Sequence, residues 1–319
     1  MTDTQSQVET DGGRWLAANV YLWEELEQNR YLVEVFLPFL RRYAGGDSRV
    51  DVVSYDRFDA RGPHLFLVFR VVGDLAQVQH HFETVTRTFL DAGEVSGALS
   101  EIEVAKRHDD CRGKQQWSAD GLGGLASDRT FLVEEQAAGG YPFNWWGRHE
   151  PSSRRDISLR TGDAARWSLD RIRVDKEANM GAAVIWAAEF DAELRRHLPP
   201  SEAADYWRLH ATTLLMSLVD RWREEPEAVL ASLPGRVAPK TAAAFTRLFG
   251  EADGRDGAGP CAPMAGLVSA CLDGAPDREA AWRALREIHH ITWKQLGVYV
   301  KFHIPIVLFA WNRNIELGG

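Results

Sequence analysis

The sequence predicts a mixed α+β protein built as a single large domain. Three observations carry that expectation. Apolar and β-branched residues alternate with period two in the first quarter of the chain. Apolar residues recur at helical spacing in the later half. Strand and helix patterns do not alternate regularly, which argues against a doubly wound parallel sheet.

Residues 15 to 44 read as a strand followed by a helix, with Gly45-Gly46 as the stop. Arg49 to Tyr55 and His64 to Val72 read as two strands joined by a polar turn, which Gly62-Pro63 signals. Side chains alternate across a strand. Leu65, Leu67, Phe69 and Val71 therefore face one way, and His64, Phe66, Val68 and Arg70 the other. The first set is core. The second begins and ends on a basic residue and is apolar between, so it is the face on which function should turn. Asp74 to Leu90 reads as a helix with Asp74 as its cap.

From Cys111 to Arg155 the chain reads as loop, rich in glycine and carrying the aromatic run Tyr141 to Trp146. Arg166 to Ile172 and Ala182 to Glu189 fit strand and helix equally well. Ser201 is expected to cap a helix bearing Ala204, Trp207, Ala211, Leu214, Leu215, Leu218 and Trp222. A second helix is expected from Asp277 to Gly297, with Trp282, Leu285, Ile288 and Leu296 on one side. Gly250 to Pro263 reads as a surface loop. No internal repeat is present.

Bulk properties exclude several classes. With 319 residues the chain can bury a sizeable core. A formal charge of −9 argues against nucleic-acid binding, which depends on Lys and Arg. No apolar run reaches membrane-spanning length. Residues 1 to 13 are polar and lack a signal-peptide core, so a disordered tail and a cytoplasmic location are expected. Cys111, Cys261 and Cys271 are odd in number and scattered, which suits free thiols. No nucleophile elbow, phosphate loop or paired-histidine metal helix occurs, so neither metal nor cofactor is expected.

The segment RFDARGPHLFLVF, Arg57 to Phe69, resembles the RYxxxGPHLRLRF strand of the lantibiotic dehydratase C-terminal domain, also called the thiopeptide-type bacteriocin biosynthesis domain. Two further stretches support the likeness. Trp15 to Leu22, with Leu32 to Pro38, is similar to that family's opening pattern. Leu308 to Arg313 is similar to its HMxxNR close. The resemblance implies one such domain over residues 14 to 319.

Members that eliminate glutamate from a glutamylated Ser or Thr need a base and cations for the leaving carboxylate. The two arginines of the family strand fall here on Phe66 and Val68, and the histidine of the closing motif falls on Leu308. Arg107, in Glu101 to Asp110, is the counterpart of a further arginine, without the family's Gly-Gly. The thiopeptide pyridine synthases of the same family join two dehydroalanines of an azole-bearing precursor by a formal aza-cycloaddition of the four-plus-two type. Water and the leader peptide leave, and a pyridine macrocycle remains. That chemistry needs an aromatic cavity and groups that exchange protons, and 12 tryptophans suit it.

On this reading the proton-exchanging candidates are Tyr299, His303, His210 and His64, with Glu101 and Glu103 weaker. Phe66, Val68, Arg70, Arg107, Trp145, Trp146, Asn312 and Arg313 would surround the peptide. Arg41, Arg42, Arg154 and Arg155 could meet an acidic leader. Each has a plainer reading. His210 sits at the edge of an apolar stripe and suits a buried structural histidine. Tyr299 suits a core position, His303 a turn, His64 a strand start, the Trp pair packing, and Asn312-Arg313 a bridge between segments. The expected partners are the modified precursor peptide, other enzymes of its pathway, and a second copy as a homodimer. Two rival readings stay open. One is a stand-alone glutamate-elimination lyase with a cationic cluster from Arg57, Arg61, Arg70 and Arg107. The other is a non-catalytic peptide-binding scaffold.

Overall fold

The computed structural model describes residues 13–45, 47–58, 62–93, 100, 102–104, 126–136, 151–218, 239–254, 266–298 and 300–318. The chain forms two compact units. One comprises Met1–Phe143 with Ile172–Val174, the other Asn144–Arg171 with Asp175–Gly319.

The first unit is a four-stranded antiparallel sheet with helices. Its strands are β1 (Arg14–Tyr21), β2 (Arg49–Phe58), β3 (His64–Val72) and β4 (Thr130–Gln136), in the order β2-β3-β1-β4. Its helices are α1 (Glu25–Tyr31), α2 (Leu37–Arg42) and α3 (Leu75–Ala92). The strand alternation expected at β3 is present: Leu65, Leu67, Phe69 and Val71 are all buried. Phe69 lies 6.1, 5.8 and 5.2 Å from the rings of Phe36, Phe39 and Phe82. Burying a side chain of this size contributes about 1.5–3 kcal/mol.

Local devices shape this unit. A π-helical turn, Leu32–Phe36, joins α1 to α2, and the Leu37 N–H bonds the Leu32 carbonyl. Pro38 follows at once and has no N–H to continue the regular ladder, which accounts for the wider turn. The Asp74 carboxylate accepts the Gln77 N–H at 3.0 Å and caps α3. A bulge falls between Val52 and Ser54 of β2. Residues beyond it change face, and this sends Arg57 toward α1. There its Nη1 donates to Gln28 Oε1 at 3.0 Å and its Nη2 to Asn29 Oδ1 at 2.7 Å.

The regular elements described in the second unit are all helices. Its helices are α4 (Pro151–Arg171), α5 (Lys176–His197), α6 (Pro200–Leu218), α7 (Pro239–Asp253), α8 (Leu267–Asp273), α9 (Arg278–Gln295) and α10 (Val300–Gly318). Its core holds fully buried Trp186, Phe190, Tyr206, Trp207, Phe249 and Trp293.

The α+β class holds: strands and helices are interspersed in the first unit, and the described elements of the second are helices. Several local expectations change. The stretch expected as loop from Cys111 to Arg155 contains β4 and the start of α4; β4 exists because it pairs along the length of β1. Arg166 to Ile172 and Ala182 to Glu189 resolve as helix, the first ending at Arg171. Ser201 is not the cap of α6. The Pro199 carbonyl accepts from the Glu202 and Ala203 N–H groups, and Pro200 opens the helix, where a missing N–H costs nothing.

The expected loop at Gly250 is helical as far as Asp253. Phe245 and Phe249 pack against Phe309 at 5.4 and 5.1 Å, which outweighs the weak helix propensity of glycine. His303-Ile-Pro305 is not a turn but lies inside α10. α9 begins as expected, with Asp277 accepting the Ala280 N–H at 2.7 Å.

Candidate functional site

The second face of β3 extends across the sheet. Strand register places Arg70 beside Asp51 and Trp15, Val68 beside Ser54 and Ala17, Phe66 beside Asp56 and Asn19, and His64 beside Phe58 and Tyr21. Leu132 of β4 pairs with Asn19 and adds a fourth column. Helices α2 and α3 meet the opposite face through Phe69, as described above. Val68 and Ala17 are 1% exposed, whereas Phe66, Asn19 and Trp15 are half-buried and Leu132 is 42% exposed. The strip is therefore apolar at its centre and polar at its margins.

His64 closes one end of the strip. Its Nδ1 lies 2.8 Å from the Gly62 carbonyl, and its ring centroid lies 4.7 Å from that of Tyr21. Gly62 has φ +110°, a conformation that favours glycine. Arg70 closes the other end, 4.0 Å from Asp51. Arg57 and Arg70 occupy opposite faces of the sheet, so these two cations cannot converge on one anion.

In the second unit two candidates come together. His210 of α6 and His303 of α10 belong to one cluster with His289 and His290 of α9. Ring centroids are 5.3 Å apart for His210–His289 and 5.7 Å for His290–His303. Trp293 lies 4.0 Å from His289 and 4.2 Å from His303. Trp207 lies parallel to His210 at 5.9 Å. The Trp293 indole donates to the Ala183 carbonyl at 3.0 Å, and His303 Nε2 lies 2.8 Å from the Val298 carbonyl.

Burial pushes the His210 and His289 imidazoles well below their usual range, and the neighbouring histidines add to the effect. Burial likewise lowers His303 to about 3, helped by His290 and opposed by the Val298 carbonyl. At neutral pH these rings are uncharged. His210 and His303 are 2% and 0% exposed, so in this conformation they act on packing and not directly on a substrate.

A buried ionic knot stands beside this cluster. Asp191 Oδ1 accepts from the Trp207 indole and from Asn314 Nδ2, both at 2.7 Å. Asp191 Oδ2 accepts from Arg313 at 2.9 Å and Arg195 at 3.2 Å, and both arginines also bind Asp253. Burial pushes the Asp191 carboxyl upward, while Arg195, Asn314, Trp207 and Arg313 pull it back. All four neighbours are donors, so the group serves as a carboxylate acceptor. Arg313 thus bridges α10 to α5 and α7, and Asn312 beside it is half-buried.

Glu103 lies in a capping box. Its Oε2 accepts from the Ser100 N–H and hydroxyl at 2.9 Å each, and the Ser100 hydroxyl accepts from the Glu103 N–H at 3.3 Å. Arg41 and Arg42 are exposed at the end of α2, and Arg154 and Arg155 lie on α4. Arg61, Glu101, Arg107, Trp145, Trp146, Trp222 and Tyr299 lie outside the described residues, as do Cys111 and Cys261. Cys271 is buried and forms no disulfide among the described residues.

Among the described residues no group of three or more His, Cys, Asp or Glu is arranged to hold a metal ion, and no helix is long and apolar enough to cross a membrane. The sequence reading missed His289, His290, Trp15, Asn19 and Leu132. The adjacent pair His289-His290 on an apolar helix, and the period of two in β1, were the available signals.

The fold is similar to those of solved proteins of low sequence identity. The chain is similar to the pyridine synthase TbtD from thiomuracin biosynthesis, with a TM-score of 0.66 and 15% identity over 96% of this chain and 99% of that one. It is similar to TsrL, with a TM-score of 0.55 and 14% identity over 96% and 95%. The tRNA dependent lantibiotic dehydratase MibB from Microbispora sp. 107891 matches 99% of this chain and 29% of its own length, with a TM-score of 0.47 and 13% identity. No family model and no curated protein matches the sequence.

Proposed function

We propose that the chain is a thiopeptide pyridine synthase. It joins two dehydroalanines of an azole-bearing precursor peptide through a formal aza-cycloaddition, then expels water and the leader peptide. The observation that carries this reading is the strip on β3. Phe66 and Val68 stand where elimination members of the family carry arginines, and the arginines nearest them, Arg57 and Arg70, point to opposite faces. A leaving glutamate would find no paired cations there among the described residues. A flat heteroaromatic ring would meet half-buried Phe66 and Trp15 and exposed Leu132, while Val68 and Ala17 are buried in this conformation.

The step balances without an oxidant. Two alkenes and the iminol of one amide are consumed in closing the six-membered ring. Loss of water and of the leader as a carboxamide then gives the aromatic pyridine. Holding the two alkenes in contact supplies much of the acceleration, up to about 7–11 kcal/mol in ideal cases. His64 is 5% exposed and its Nδ1 is engaged by the Gly62 carbonyl, so it would exchange a proton with the amide or the departing hydroxyl only if the rim of the strip opens. Tyr299 has the right chemistry for the same task. Phe66, Arg70 and half-buried Trp15 would hold the peptide.

The test is mass spectrometry of two leader-bearing peptides. One carries thiazoles and two dehydroalanines; the other carries a glutamylated serine. A pyridine macrocycle and a leader carboxamide from the first establish the reading. Loss of glutamate from the second establishes the lyase instead. Leader binding with turnover of neither peptide supports the scaffold.

A further inference from the structure

Histidine charges close to neutral pH, so where its rings are placed decides how a fold answers acid. In the helical unit His210, His289 and His303 are 2%, 0% and 0% exposed, and they sit on three different helices. Phe190 and Trp207 stand edge-on to His289 at 4.9 and 5.4 Å, and Trp293 does the same at 4.0 Å. Among the described residues neither ring nitrogen of His289 has a hydrogen-bond partner, nor does Nδ1 of His210 or of His303. An imidazolium must donate from both nitrogens. His289 can satisfy neither donor among these residues, and His303 has only the Val298 carbonyl.

We propose that this histidine–tryptophan cluster is an acid-operated lock on the helical unit: it holds α6, α9 and α10 together while its imidazoles are neutral and releases that packing when they take up protons.

The charges around the cluster favour release. From α9 come Arg286 and His290, from α10 His303, and from α6 Tyr206, whose buried hydroxyl is influenced by Cys271 of α8. From α5 comes Asp191, but it is turned to Trp207, Arg195 and Arg313. The groups that act on His210 are His290, His303 and Arg286, each of which disfavours a second positive charge. Burial holds the rings neutral well below the usual histidine range. The first protonation must therefore open the packing, and opening exposes the remaining rings, which then charge together. Uptake is concerted and the transition steep. This device is independent of the pyridine synthase reading.

The full-length protein carries its own reporters, because Trp186, Trp207 and Trp293 are fully buried in the same unit. Near-UV circular dichroism and tryptophan fluorescence would be followed from pH 8 to pH 4, with far-UV dichroism alongside. The expected result is loss of the near-UV signal, with most far-UV helicity kept, in a transition steeper than one proton. His289→Phe removes one proton acceptor and is expected to move the midpoint down by about half a pH unit or more. The exposed His80→Gln should leave it unchanged. If His289→Phe fails to fold, ring-labelled histidine NMR on the unaltered protein decides: buried rings must stay neutral until the near-UV signal falls, then protonate with it. Rings that charge one by one near the ordinary histidine pKa while tertiary structure persists overturn the proposal. So does a midpoint that a folded His289→Phe does not move.

Discussion

At the scale of single residues, burial decides what each candidate can do. Val68 is 1% exposed and Phe66, two positions earlier and on the same face, is half-buried. Val68→Arg should therefore cost about 3–5 kcal/mol, the penalty of an uncompensated buried charge, read as a fall in the urea midpoint. Phe66→Arg should change stability by less than about 1 kcal/mol, since a half-buried arginine can reach water. If Phe66 supports the substrate ring, the same variant lowers macrocycle formation by about 10- to 100-fold with the fold intact. Asp191→Asn tests the ionic knot. It removes the charge that Arg195 and Arg313 share with Asp253, and its expected cost is about 2–4 kcal/mol in urea unfolding.

At the scale of elements, Arg129 ties a strand to a helix. It has φ +59°, and its guanidinium donates to the Phe89 and Leu90 carbonyls at 3.0 and 2.8 Å and to Glu27 at 3.2 Å. It thus satisfies carbonyls that the C-terminus of α3 would leave open, just before β4 begins. Arg129→Ala should cost about 2 kcal/mol and raise hydrogen exchange in β4 and the last turn of α3 together. Arg129→Gly should recover about 1 kcal/mol of that loss, because glycine adopts positive φ without strain. Equal losses in the two variants would show that the backbone at this point stores no strain.

At the scale of the whole molecule, the buried histidines set the pH dependence of stability. The ordinary histidine pKa is 6.5, and His303 is lowered to about 3 in the folded state. Between those values the unfolded chain holds more protons than the folded one, so stability rises with pH through this window and is lost as pH falls. Each such group contributes a slope of about 1.4 kcal/mol per pH unit inside its window. His210 and His289 shift in the same direction and steepen it. The expected outcome is a thermal midpoint that is flat above pH 7 and falls progressively below about 6.5, measured by calorimetry at constant ionic strength. A midpoint unchanged down to pH 5 would mean that these rings are charged or exposed in the folded protein.

The sequence by itself determined what depends on near neighbours. Period-two alternation gave β3 and its two faces. Asp74 and Asp277 announced the starts of α3 and α9, because a cap bonds an N–H only three residues on. The apolar residues Phe66 and Val68 between His64 and Arg70 on the second face were likewise legible in the linear chain. What joins distant residues was decided by the tertiary structure alone. β4 is a strand because it lies along β1, and Arg57 faces α1 because a bulge turns it there. Gly250 is helical because Phe249 has Phe309 to pack against. Asp191 meets Asn314 across 123 residues of sequence, and the four histidines meet only once three helices are packed. Periodicity and capping act within a turn or two of the backbone. Pairing, face and burial depend on which remote segment arrives, and the local pattern holds no record of that.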